Sequence, residues 1–221
     1  MKGLAALLFM LPVLLNAKEI QTIKLSIGND YYILATCLEA ENNESEIVLM
    51  LGNNTSNEHN SIFVTGPQNG CDAISQDDLD GDGVLDISIT YGSQLTSSRR
   101  IYLIDMDKKA IIDSGIIPAE SSKLDDGSYQ YEAISYGSMF RSNYVFVEKK
   151  ILERKLTQLV FDGKVCLNNN GEIERDGECQ NGMVATQKNP ICFEREYKKN
   201  FKIIPLKDCS IDKSKIFGLH D

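Results

Sequence analysis

The sequence predicts a mainly β protein, an antiparallel β-sandwich or small propeller-like domain with a disulfide-rich C-terminal appendage. Three observations predict it. Short runs rich in Ile, Val, Tyr and Thr follow one another, separated by turn-forming residues. No motif of roughly 20 to 50 residues recurs, which disfavours a many-bladed propeller or a solenoid. Four of the six cysteines fall between positions 166 and 209, where long apolar runs are scarce.

The first element is a secretion signal over residues 1–17: Lys2 supplies the positive end, Gly3 to Leu15 is almost wholly apolar, and Ala17 offers a cleavage point. The apolar run is shorter than the ~20 residues that span a bilayer. Charged Lys18 and Glu19 follow at once, so the chain is expected to be periplasmic or secreted, with no stable membrane insertion. Predicted strands then run from Ile20 to Ile27, Tyr31 to Leu38, Glu46 to Leu51, Ser61 to Thr65, Leu85 to Tyr91 and Arg100 to Met106. Gly28-Asn29-Asp30, Gly52-Asn53-Asn54 and Gly66-Pro67 punctuate them. Tyr144 to Glu148 and Ile151 to Phe161 read as a hairpin turning at Lys149-Lys150, although the spacing of Val147, Ile151, Leu156 and Leu159 also suits a helix. From Gly163 onward the texture becomes polar. The expected organisation is therefore a β domain over residues 18–161 and a cysteine-rich subdomain over 162–221. Six cysteines in an exported chain favour disulfides. Cys37 is expected to pair with Cys71, while the pairing among Cys166, Cys179, Cys192 and Cys209 stays open.

The formal charge of −9 is uneven: residues 18–165 carry 13 basic and 23 acidic side chains, residues 166–221 nine of each. Such an acidic surface repels nucleic acid and favours a cationic partner.

The stretch that carries chemistry is Asp78-Leu79-Asp80-Gly81-Asp82-Gly83-Val84-Leu85-Asp86. Carboxylates at loop positions 1, 3, 5 and 9, with a glycine at position 6, are the donors and the sharp turn that wrap a backbone around Ca²⁺. The expected ligands are Asp78, Asp80, Asp82, the carbonyl of Val84, and Asp86. Position 12 is Ile89 where an EF-hand has a bidentate Glu, and Ile87 to Tyr91 reads as a strand. The remaining ligands are then expected from Asp77, Asp72 or water, and the ion is expected to be structural.

This loop entering a strand resembles the calcium loops of FG-GAP and integrin-type repeats. With Arg100-Ile101-Tyr102-Leu103-Ile104-Asp105 after it, then a Gly/Ser-rich turn and an aromatic strand, residues 20 to 161 resemble periplasmic proteins related to the invertebrate-type lysozyme inhibitors. That group includes calcium-binding immunity proteins against peptidoglycan hydrolases delivered by bacterial secretion systems. The resemblance implies a protein partner, a basic peptidoglycan hydrolase, plugged by a protruding loop. The matching stretch here is Gly137 to Tyr144, with Ser138, Met139, Phe140, Arg141, Ser142 and Tyr144 as partner-binding residues; Asn143 stands where the family's motif has glycine. Met139 and Phe140 would anchor and Arg141 would pair with an acidic catalytic group. A hairpin with Phe140 and Tyr144 in the core is the other reading.

No enzymatic motif is present: the chain lacks the nucleophile elbow, the zinc-protease helix and the phosphate-binding loops. Its two histidines, His59 and His220, lie in an Asn-rich loop and beside the C-terminus. Asp125-Asp126 beside Gly127 reads as a turn. The expected function is that of a non-enzymatic calcium-binding inhibitor or immunity protein. A calcium-dependent adhesive or carbohydrate-binding module is the alternative, and a calcium-dependent hydrolase ranks third.

Overall fold

The computed structural model describes residues 18–28, 30–39, 45–65, 70–92, 97–175, 179 and 181–212. The expected signal segment, His59's side chain and His220 lie outside what is described. The protein is mainly β: seventeen strands, β1 to β17, all paired antiparallel, with no α-helix among the described residues. No helix there is long and apolar enough to cross a membrane. The chain divides into two compact units, residues 1–119 and 120–221.

The first unit is built from two four-stranded meanders. One comprises β1 (Lys18–Ser26), β2 (Tyr31–Glu39), β3 (Ser45–Asn53) and β4 (Ser56–Thr65). The other comprises β5 (Ile74–Asp77), β6 (Asp86–Tyr91), β7 (Ser98–Asp105) and β8 (Ala110–Pro118). Period-two alternation sends Ile33, Ala35 and Cys37 of β2 and Ile47, Leu49 and Leu51 of β3 to one face. There they share a core with Ile87 and Ile89 of β6, Tyr102 and Ile104 of β7, and Ile111 of β8. This is the sandwich packing that the alternating runs predict. The Cys37–Cys71 disulfide forms as expected and sits in that core, joining β2 to a one-turn 3-10 helix at Gly70–Ala73.

The second unit departs from the expected division. Its six-stranded sheet has the order β17, β16, β12, β11, β10, β9. The strands are β9 (Ser122–Lys123), β10 (Tyr129–Ser135), β11 (Ser138–Val147), β12 (Lys150–Val160), β16 (Ile191–Glu196) and β17 (Lys202–Ile204). A three-stranded sheet of β13 (Gly163–Leu167), β14 (Ile173–Arg175) and β15 (Met183–Ala185) accompanies it. β12 pairs with β16 from Lys155↔Glu196 to Val160↔Ile191. The cysteine-rich stretch therefore supplies strands to the sheet that holds the 138–160 hairpin, and the compact unit begins at Glu120 rather than after Phe161. The helical alternative for Val147 to Leu159 is resolved in favour of strand. That hairpin turns at Glu148-Lys149, both at positive φ (50° and 63°), one residue before the expected position.

Both faces of the β12–β16 pair are covered where Leu159 and Val160 run beside Cys192 and Phe193. Val160 and Phe193 pack with Val165 and Ala185 of the small sheet and with Phe201. On the opposite face Met139, Leu159 and Cys192 pack with Ile211, Leu206 and Cys209. The open pairings resolve as Cys166–Cys179 and Cys192–Cys209. The first links β13 to the stretch after β14, and the second ties the tail to β16.

The β10–β11 turn is a two-residue connection with both central residues left-handed, Tyr136 at φ 46° and Gly137 at φ 69°. A Cβ added at Gly137 would stand 2.6 Å from Asp162 Cβ. Gly137→Ala should therefore cost ~1 to 3 kcal/mol, read as a lower midpoint in urea unfolding. The same substitution at Gly28, which meets nothing within 4 Å, should move the midpoint little.

Candidate functional site

The Asp-rich loop connects β5 to β6, whose final ladder pair is Asp77↔Asp86. Two left-handed glycines, Gly81 (φ 83°) and Gly83 (φ 86°), allow its tight curl. Within the curl each acidic side chain folds back onto the backbone. Asp78 accepts from Gly81 N–H at 2.8 Å and Gly83 N–H at 3.1 Å, Asp80 from Asp82 N–H at 3.2 Å, and Asp82 from Val84 N–H at 2.9 Å. Leu79 is buried and Val84 packs against the sandwich core, so apolar contacts pin the loop at two points.

Asp86 holds the loop to the sheet. Its side chain is fully buried; one oxygen accepts Leu79 N–H at 3.0 Å, and the other accepts Ile104 N–H of β7 at 2.8 Å. One carboxylate thus bridges the loop, the first residue of β6, and the neighbouring strand. Oxygens of Asp78, Asp80 and Asp86 gather within 4.8 Å of one another. This places three of the expected ligands together. Asp82, Asp77 and Asp72 are not part of that group. Ile89, at the position where an EF-hand carries its glutamate, is fully buried and pairs with Ile74 and Arg100 in the ladder; the strand takes the place of a helix because this residue faces the core.

The donor set fits a hard divalent cation. Three clustered carboxylates repel one another without one, and each oxygen that accepts an N–H keeps a second lone pair for an ion. Asp78, Asp80 and Asp86 would hold calcium. The ion would supply the positive charge that the three lack.

Burial pushes the Asp86 carboxyl up from 3.8 to about 6; the nearby charges of Asp80 and Asp82 add to this, while the N–H groups of Ile104 and Leu79 oppose it. Because the folded value lies above the unfolded one, the metal-free protein holds a proton that the unfolded chain has released. Its stability therefore falls as pH rises from about 4 to about 6. A bound cation favours the carboxylate and reverses that trend.

The second expected site, residues 137–144, requires a correction. The segment is not a protruding loop. It forms the turn and first part of β11, a strand paired on one side with β10 and on the other with β12. Ser138, Met139 and Ser142 are buried, and Phe140 and Tyr144 are half-buried. Arg141 forms an ion pair with Glu132 and donates to the carbonyl of Ser210. Its Gly, Ser and Asn content suggested a loop, but the strand is decided by neighbours on both edges. What sequence reasoning missed is Tyr136. It is 93% exposed at the turn itself, with its carbonyl held by Arg175.

No family model and no curated protein matches the chain. Among solved structures, one described as that of a Xanthomonas Type IV Secretion System related protein is similar over 86% of this chain and 98% of its own. The TM-score is 0.45 and the identity 10%, too distant to transfer an activity.

Calcium at 100 times its dissociation constant should add ~2.7 kcal/mol of stability, and magnesium much less, as seen in thermal melts with EDTA as reference. Asp80→Ala should abolish the shift. The calcium affinity should fall by up to about tenfold per pH unit below the Asp86 value of about 6. A melting curve indifferent to calcium at pH 7 would remove the site.

Proposed function

We propose that this chain is an exported, calcium-stabilised β protein that binds and blocks a peptidoglycan hydrolase, as an inhibitor or immunity protein does. The observation that carries the reading is the loop docked by Asp86. It gathers carboxylates as a calcium site would and fastens them to a sandwich closed by a disulfide. The three disulfides fit an oxidising compartment outside the cytoplasm. The inhibitory half of the reading rests on the resemblance of residues 20–161 to relatives of the lysozyme inhibitors. The excess of 23 acidic over 13 basic side chains between residues 18 and 165 suits a basic partner.

With Ser138 to Tyr144 within the sheet, the anchor that this hairpin offers is Tyr136. A tyrosine in the left-handed region costs stability, and at 93% exposure it contributes almost no packing in return. Binding to a partner would account for its presence at the tip.

Tyr136→Gly should keep or slightly raise the melting temperature, because glycine accepts positive φ. It should also weaken the complex by ~1 to 3 kcal/mol. The measurement is capture of a peptidoglycan-lytic enzyme from periplasm or competitor effectors, titration of the purified pair, and loss of its lytic activity on purified peptidoglycan. A captured enzyme that remains fully active in the complex would sink the inhibitory reading.

A further inference from the structure

The second unit contains a cleft of about 580 Å³, within the range of roughly 300 to 1,000 Å³ typical of small-ligand sites. Its walls come from β11, β12, the end of β16 and the turn before β10, with Asp126, Asn143, Arg154, Lys155, Glu196 and Tyr197 as the residues that decide its chemistry. A second hollow of about 380 Å³ shares Glu196 and Tyr197 with it, so the two adjoin along the sheet.

The charges in this groove are matched. Asp126 lies in the field of Arg154, Glu196 forms an ion pair with Lys199, and Lys155 forms one with Glu194. In the second hollow Arg195 pairs with Glu153 at 3.3 Å and with Glu172 at 3.7 Å. A phosphate or nucleic-acid ligand would need surplus cations, and an apolar ligand would need an apolar lining. Here the walls present a guanidinium and an ammonium that donate, carboxylates that accept, and the Asn143 amide, which does both. Beside them stands an aromatic ring, Tyr197, 45% exposed, with Lys198 over it. Matched charge, dense hydrogen-bonding groups and a part-exposed aromatic ring, one face of which Lys198 covers, together suit a ligand covered with hydroxyls and carrying no net charge. The adjoining hollow suits a chain of such units.

We infer that this groove binds an uncharged oligosaccharide, with Tyr197 as the stacking platform and Asn143 and Arg154 as hydrogen-bonding groups. None of the Asp78-loop residues lines this groove.

The test is calorimetric titration of the processed full chain with chitotetraose, cellotetraose and maltotetraose as neutral probes and tetragalacturonate as an acidic one, in calcium and again in EDTA. The expected result is saturable binding of at least one neutral probe, unchanged in EDTA. Tyr197→Ala and, separately, Asn143→Ala should each weaken it at least tenfold with an unaltered melting temperature. The inference is overturned if no neutral probe binds at millimolar concentration, if the acidic probe binds more tightly, or if binding survives both substitutions. Loss of binding in EDTA would move the sugar to the calcium loop and overturn it too. Because the neutral probes are read in EDTA, failure of the calcium reading leaves this test intact.

Discussion

A single buried carboxylate organises the first unit. Asp86 accepts N–H groups from Leu79 in its own loop and from Ile104 on the neighbouring strand, so the loop, β6 and β7 are fastened at one point. A carboxylate buried this deeply is costly when ionised. The two N–H donors offset part of that cost, and burial outweighs them, which pushes the carboxyl's pKa up to about 6. Oxygens of Asp78, Asp80 and Asp86 come within 4.8 Å of one another there, the arrangement on which the proposed calcium site rests. The curl also explains why a loop of four carboxylates can sit beside a core formed by Ile87, Ile89 and Ile104: the charged groups curl onto their own backbone while Leu79 and Val84 supply the apolar contact.

The second unit depends on a different constraint, the pairing of β12 with β16. Strands separated by thirty residues of turns, short strands and a disulfide lie side by side, and their alternation feeds two separate clusters. Val160 and Phe193 serve one, Leu159 and Cys192 the other. The Cys192–Cys209 bond closes the tail over the second cluster. The stretch after Gly163 has few long apolar runs, yet it does not stand apart, because its strands complete a sheet begun by the hairpin. That same pairing lines the groove around Tyr197, since Arg154 and Lys155 come from β12 and Glu196 from β16.

Much of this was legible from residues alone. Strands β1 to β4, β6 and β7 were readable from their Ile-, Val- and Tyr-rich runs, because alternation in a half-buried sheet leaves a period of two. The tight curl of the Asp-rich loop was readable because Gly81 and Gly83 fall where the backbone must turn left-handed. β8, with Asp113-Ser114-Gly115 at its middle, was given no assignment from sequence; it is a strand because β7 pairs along its length, with a bulge near Ile101. Residues 138–144 left two readings open, a protruding loop and a hairpin strand, since small polar residues suit an exposed turn until strands on both edges claim their backbone groups; the ladders with β10 and β12 decide for the strand.

By itself the sequence determined the antiparallel β class, the acidic surface, the Cys37–Cys71 closure and the loop of Asp78 to Asp86, all of which depend on residue type and local spacing. Only the tertiary structure decided which carboxylates converge, how the last four cysteines pair, that the 138–160 hairpin joins the C-terminal strands, and that Tyr136 rather than Phe140 is exposed. Those outcomes depend on contacts between distant segments, whose cross-strand partners and burial cannot be read from neighbours along the chain.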